Sequence, residues 1–464
     1  MNKKQTFFGN AFYYTIGVIA AQGTTFAAVT ILGNLMTPEQ YAPLAIYGIW
    51  ASIFGMIAGV QAHGSLNNAK LDFGPEKLNA YTSSTYGMGI VTLGVLLGVV
   101  LLFQNFFTDF TQFSLTVVLF AVLQGFFSFT IQHLANKYRV LNRPKPFVFW
   151  TASVAIARLA ISVPLVMQIT GNKYLGDVYG SFIAYAVIGT AAAVVIIAKG
   201  KTLFRADWWK YCIAISLPFV FSGLANLILG QSDRLMLQAL STPTQTGIYS
   251  YVYNFGMVSM GVWTAFNYAW SVWYFDKTHA GEKEQIVHLY KKYCLFVTFL
   301  SVAFVLVSPD IIRILARPDY QSGVYMIPLI AAGCFFFFLY TFPVAYESYR
   351  RKTVYIAIGT VAAAALNIGL NFYFVPRWGG MGAAVTTLIS YVMLFIFHYV
   401  IAKYVLKKFE LSFVHLLVPA LIVGAALAAS YLFIDIWPVR WIAGVVMLVF
   451  SFKIYKQSRH IMME

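Results

Sequence analysis

Charge is what this chain has least of. Of its 464 residues 10% are charged and 60% are hydrophobic, with a mean hydropathy of +0.72. Soluble domains carry about 25% charged residues, so this composition cannot coat a water-facing surface. Acid is scarcer than base: 16 Asp and Glu stand against 32 Lys and Arg, a net charge of +16. Cysteine is nearly absent. Cys212, Cys294 and Cys334 fall in or beside apolar runs, without metal-ligand spacing or a disulfide framework, and read as packing residues. No nucleotide-binding motif, paired carboxylates or His/Cys cluster is found, so no cofactor or metal is expected and the chain is not read as an enzyme. Long connections are also missing. The longest, around 274–291, holds about 18 residues, too few for the catalytic domain of a polymerase or transferase.

What fills the chain is a series of apolar runs, each near the roughly 20 residues that a helix needs to cross the hydrocarbon core. They predict spans near 8–35, 41–62, 82–103, 114–135, 147–169, 176–198, 211–236, 247–273, 292–309, 324–346, 353–375, 381–402, 412–433 and 439–455. The fold class is therefore an all-α polytopic membrane protein with about fourteen transmembrane helices. The first run is too long for a cleaved signal peptide, and Asn10, Gln22 and Asn34 interrupt it.

The basic residues divide by side, as expected when Lys and Arg are retained in the cytoplasm. With Lys3 and Lys4 inside, the N-terminus, the even-numbered connections and the C-terminal tail together collect 25 of the 32 basic residues. Among them are Lys70, Lys137, Arg139, Arg143, Lys199, Lys210, Lys291, Arg350 and Lys403. The opposite loops hold only Lys173, Arg313, Arg317, Arg377 and Arg440, and Arg158 and Arg234 lie within spans. The positive charge is thus a topology signal, both termini are expected to be cytoplasmic, and nucleic acid is not an expected partner.

Three loop echoes suggest an internal repeat. Thr37-Pro38-Glu39-Gln40 matches Thr242-Pro243-Thr244-Gln245, Lys173-Tyr174-Leu175-Gly176 resembles Arg377-Trp378-Gly379-Gly380, and Tyr138-Arg139 matches Tyr349-Arg350. Each relates span n to span n+6. The shift is even, so the halves run parallel: two pseudo-symmetric six-helix bundles over 1–205 and 206–408, with an extra hairpin and tail over 409–464. Two such bundles suit alternating access.

Several segments resemble one known family. Leu35-Met36-Thr37-Pro38-Glu39-Gln40-Tyr41 looks like the L-T-P-E-x-Y-G turn of polysaccharide transporters, although Ala42 replaces the final glycine. Ser232-Asp233-Arg234, followed by Gly247-Ile248-Tyr249, looks like their S-D-R and G-x-Y pair. Asn367 to Asn371, then Val375-Pro376 to Gly382-Ala383-Ala384, looks like their N-x-x-L-N and I-P-x-x-G-x-x-G-A-A segment. The chain is identified by these as similar to the polysaccharide transporter (O-antigen flippase-like) branch of the multidrug/oligosaccharidyl-lipid/polysaccharide flippase superfamily. The resemblance implies an inner-membrane protein of a bacterium that moves an undecaprenyl-diphosphate-linked oligosaccharide between leaflets. The expected partners are lipid-linked oligosaccharide and membrane lipids, with a glycan polymerase or glycosyltransferases as candidate protein partners. A cation-coupled multidrug exporter and a lipid II-type flippase are the alternatives, though Asp109 and Asp177 both lie near span ends and offer little to the first.

A diphosphate headgroup needs cations and hydrogen-bonding groups at membrane depth. Arg158, in the middle of its span, either binds the diphosphate or pairs with an acid or a carbonyl. Asp233 and Arg234 are neighbours that point about 100° apart on a helix, so they serve different partners, while Asn226, seven residues earlier, shares a face with Asp233. Asn10 and Gln22 in the first span either line a cavity or hold helices together. The eighth span is rich in aromatics from Tyr249 to Tyr274, read mainly as an interfacial belt. His63, His133 and His398 read as structural.

Overall fold

The computed structural model describes residues 23–24, 26–407 and 409–463, and among these no strand occurs. The first helix described, α1, covers Phe26–Leu35. It is followed by α2 (Pro38–Gly59), a 3-10 turn at Ala62–Ser65, α3 (Leu66–Phe73), α4 (Leu78–Leu102), α5 (Gln104–Thr111), α6 (Leu115–Val140), α7 (Pro144–Gln168) and α8 (Tyr174–Gly200). Then come α9 (Ala206–Leu240), α10 (Pro243–Ala280), α11 (Lys283–Leu315), α12 (Ile327–Tyr349), α13 (Thr353–Val400), α14 (Phe413–Leu432) and α15 (Trp437–Met463). Asn10 and Gln22 lie outside the described residues.

Eleven helices among the described residues are long and apolar enough to cross a membrane. One of them, Thr353–Val405, contains two of the expected spans. Gly379 divides it at φ 52° and ψ −132°, a backbone conformation open to glycine because it has no Cβ. The Gln245 side-chain carbonyl accepts from the amide of Gly380 at 3.0 Å and ties the break to the start of α10. Several helices outrun their apolar cores: α9, α10 and α11 hold 35, 38 and 33 residues. Helix hydrogen bonding continues past the hydrocarbon boundary, where hydropathy stops marking it. α10 is long enough to span but too polar to stand among the eleven.

The chain packs as two compact units. One contains Pro43–Ile228; the other contains Thr37–Ala42 and Leu229–Glu464, so the changeover falls inside α9. In the first unit, small residues let helix backbones meet. A Cβ on Gly125 of α6 would lie 2.6 Å from the Gly55 nitrogen of α2, and one on Gly180 of α8 would lie 2.5 Å from the Ser162 Cα of α7. A buried apolar core under α4, α6 and α8 includes Tyr81, Leu134, Ile196 and Trp208.

In the second unit, Pro38 and Pro243 open their helices. The two echoed turns touch within this unit: Thr244 Oγ1 donates to Glu39 Oε1 at 2.5 Å. α15 is fastened to α11 by a buried charge network. Arg440 donates to the Leu306 carbonyl and to Asp310 Oδ1, both at 2.8 Å, and Trp441 Nε1 donates to Asp310 Oδ2 at 2.9 Å. Five of the α10 aromatics are core rather than an interfacial belt. Tyr249, Tyr251, Trp263, Trp270 and Tyr274 are buried, and Trp270 lies 5.0 Å from Phe342 and 5.6 Å from Tyr293 between ring centroids. The reason is that α10 is enclosed by α11, α12 and α13 within its unit, and aromatic side chains fill that space.

Candidate functional site

In the first unit the sequence places Arg158 at the fifteenth position of α7 and Asp177 at the fourth of α8. Contact of the two helices along Gly176 and Gly180 brings these side chains together. Arg158 Nη2 donates to Asp177 Oδ2 at 2.7 Å and Nε donates to Oδ1 at 3.4 Å. Ser181, one turn further along α8, donates its hydroxyl to the same carboxylate at 3.3 Å. The Asp177 side chain is 1% exposed and that of Arg158 35%. A carboxylate so buried must be paired, and the guanidinium that pairs with it still faces open space.

That space is a cavity of about 210 Å³ inside the first unit. Arg158 and Asp177 form one wall, and Tyr47, Ser52, Gln124 and Ser128 contribute polar groups from α2 and α6. The Tyr47 hydroxyl donates to Gln124 Oε1 at 2.8 Å. A second cavity of about 140 Å³ shares Ala51, Ser52, Gly125 and Ser128 with the first and reaches Gln61 and His63. Together they make a polar track along the α2–α6 seam, where the Gly55–Gly125 approach leaves room for hydroxyls and amides. His63, in the turn beyond α2, has its pKa pushed down to about 4, mainly by burial and further by Arg139.

The second unit holds a different constellation. Asp233 is 2% exposed and accepts from Asn371 Nδ2 at 2.6 Å, the Tyr249 hydroxyl at 2.7 Å and Thr387 Oγ1 at 2.5 Å. Asn367 Oδ1 accepts from Ser232 and Asn371, and Thr386 donates to Asn371 Oδ1. One amide and two hydroxyl donors therefore satisfy a single buried carboxylate, and a further layer of Ser232, Asn367 and Thr386 orients them. No cluster of three or more His, Cys, Asp or Glu occurs among the described residues. Arg234 turns away from Asp233: its Nη2 donates to Asn254 Oδ1 at 3.0 Å and its guanidinium lies 4.8 Å from the Tyr253 ring centroid. Asn226 is exposed and falls in the first unit.

Two buried groups escaped the sequence reading. Asp177 sits one turn into its span and looked peripheral, but the preceding loop is short and α8 packs that turn against α7. The available signals were the mid-span arginine, which demands a partner, and the Gly176–Gly180 spacing. Glu347 was the other: it accepts from, or shares a proton with, His398 Nδ1 at 2.9 Å, and both side chains are fully buried. Its position beside the charged Arg350–Lys352 run disguised it as an interfacial residue.

Comparison with known proteins agrees with this architecture. A family model described as "Polysaccharide biosynthesis protein" matches residues 7–274. An uncharacterized membrane protein, MJ1068 of Methanocaldococcus jannaschii, is 22% identical over 284 residues, covering 58% of this chain; the match spans about half, 53%, of that relative. Among solved structures, the lipid II flippase MurJ in an inward closed conformation superposes with a TM-score of 0.71 at 15% identity, covering 97% of this chain and 99% of that one. An inward-facing multidrug resistance MATE family transporter of the MOP superfamily gives 0.59 at 13% identity, covering 87% and 95%.

Proposed function

Since the chain belongs to the polysaccharide biosynthesis protein family and has a fold shared with MOP-superfamily proteins, we propose that it is a flippase for an undecaprenyl-diphosphate-linked oligosaccharide, working by alternating access in the inner membrane of a bacterium. The observation that carries the reading is Arg158. A guanidinium deep in a span is costly unless it serves a purpose, and this one lines a polar cavity while a buried carboxylate holds it in place. A guanidinium has five N–H donors in a rigid fork suited to phosphate oxygens. Asp177 orients that fork, and the hydroxyls and amide of Ser52, Ser128 and Gln124 suit a sugar. Asp233, Arg234 and Asn226 are proposed as further contacts or supports of the headgroup path, as are Asn10 and Gln22. Translocation breaks no covalent bond, so no cofactor is called for.

The test is transport of a lipid-linked oligosaccharide by the full chain in proteoliposomes, scored by accessibility to a membrane-impermeant probe. Arg158→Ala is expected to lower the rate at least tenfold and Arg158→Lys to recover part of it, at equal folded protein. Wild-type rates in Arg158→Ala would sink the reading. Use of lipid II but no other glycan would move the cargo to the lipid II class.

A cation-coupled reading has its own support, the buried carboxylate of Asp233 in a helix of the second unit. It predicts that transport of small organic cations, or of the lipid cargo, follows a sodium gradient and is lost in Asp233→Asn. Transport indifferent to that gradient removes it.

A further inference from the structure

Lys137 is buried at 1% exposure in the last turn of α6. Its ammonium donates to Asn79 Oδ1 at 3.1 Å, a neutral acceptor. Lys199, in the last turn of α8, shares the neighbouring aromatic ring. The Lys137 nitrogen is 5.0 Å and the Lys199 nitrogen 5.7 Å from the Tyr138 centroid, and Lys199 also donates to the Tyr138 hydroxyl at 3.2 Å. The ionic groups that act on Lys137 are Lys199 and Arg143, both cations. Lys70 completes the rim and donates to the carbonyl of Val140 at 2.8 Å. Among the described residues no carboxylate lies within 4.0 Å of Lys70, Lys137, Arg139, Arg143 or Lys199. Here a buried ammonium meets like charge and one amide oxygen, although buried charges are ordinarily paired.

We propose that this corner of the first unit, at the ends of α6 and α8 beside the start of α4, is a binding site for the phosphate of an anionic phospholipid. Lys199 and Arg143 are exposed and meet the phosphate, while Lys137 lies beneath them as a fixed positive floor. The lipid source follows from position. All these residues lie on the side that collects most of the basic residues, within a turn or so of the ends of membrane-spanning helices, which is headgroup level. Basic recesses between helices at that level suit anionic lipid headgroups. Helix C-termini supply part of the compensation through their carbonyls, as Lys70 shows at Val140, whereas the acceptor that Lys137 uses is the Asn79 amide. The site is separate from the Arg158 cavity and does not depend on the translocation reading.

The experiment uses the full chain, stripped of lipid in a neutral detergent, and native mass spectrometry with palmitoyl-oleoyl phosphatidylglycerol or phosphatidylcholine. Wild type is expected to retain phosphatidylglycerol at least fivefold over phosphatidylcholine. Lys199→Gln, at an exposed position that leaves folding intact, should lose at least half of that preference, and Lys137→Gln with Lys199→Gln should abolish it. Arg158→Ala should bind the lipid as wild type does, so the two readings fail separately. Equal retention of both lipids, or full retention in Lys199→Gln, overturns the proposal. Displacement of the lipid by 10-fold molar excess inorganic phosphate would assign the site to free phosphate and overturn it too.

Discussion

At the scale of single residues, ionisable groups inside the molecule separate into paired and unpaired. Arg158 and Asp177 pair with each other, Asp233 is satisfied by three neutral donors, and Arg440 is pinned by a carboxylate and two carbonyls. His63 belongs to the unpaired class: its Nδ1 is buried without a hydrogen-bond partner. With a native pKa near 4 against the ordinary 6.5, the folded protein keeps it neutral while the unfolded chain protonates. Its contribution to stability is therefore present above about pH 6.5 and is lost as pH falls toward 4. His63→Gln keeps a polar side chain and removes the titration. Thermal unfolding of wild type in detergent should lose several degrees more than the variant between pH 6.5 and 4.5, and parallel curves would show that His63 titrates normally. Of these groups, the sequence showed that Arg158 needs a partner, and it drew attention to Asp233 and Arg234. Asp177, Glu347 and Lys137 stayed hidden because position in a hydropathy profile does not reveal burial by a neighbouring helix.

At the scale of elements, glycine-lined contacts decide which charges can meet. The α7–α8 seam runs through Gly176 and Gly180, where an added Cβ would press on the backbone of Val166 and Ser162 at 2.5–2.7 Å. Backbone cannot yield as a flexible side chain does, so overpacking there costs about 1–3 kcal/mol. Gly180→Leu should push the helices apart, lower the unfolding temperature, and depress transport as Arg158→Ala does by separating Arg158 from Asp177. Gly94→Ala on α4, where an added Cβ meets nothing within 4 Å, serves as the control. A variant at 180 with unchanged stability and transport would mean that the seam is not what positions the pair. The existence of the long described helices from α2 onward was legible from apolar run length, whereas the short α3 and α5 were not expected. Helix ends were less so, because α9, α10 and α11 continue beyond the apolar stretch, and the burial of the α10 aromatics could not be read from their spacing.

At the scale of the whole molecule, the division of basic residues sets the orientation that every functional reading assumes. Cys212, Cys294 and Cys334 are all buried, so the wild type should give little background with a membrane-impermeant maleimide. In right-side-out cells, Asn172→Cys should label from outside, whereas Lys201→Cys and Lys352→Cys should label only after the membrane is opened. Labelling of all three from outside would refute the topology. The parallel repeat and the domain limits at 205 and 408 remain a proposal that rests on the loop echoes; the changeover between the compact units falls at Ile228/Leu229 instead.

By itself the sequence determined that this chain lives in a membrane, how its apolar helices follow one another and which family it belongs to. Those properties are local sums of hydropathy and charge, or runs of contiguous residues, and are fixed before any helix meets another. Only the tertiary structure decided that Asp177 holds Arg158, that side chains of α10 and α13 satisfy Asp233, and that Lys137 is buried among cations. These are contacts between helices distant in the chain, and their distances depend on where glycines let backbones approach and on which face of each helix is covered.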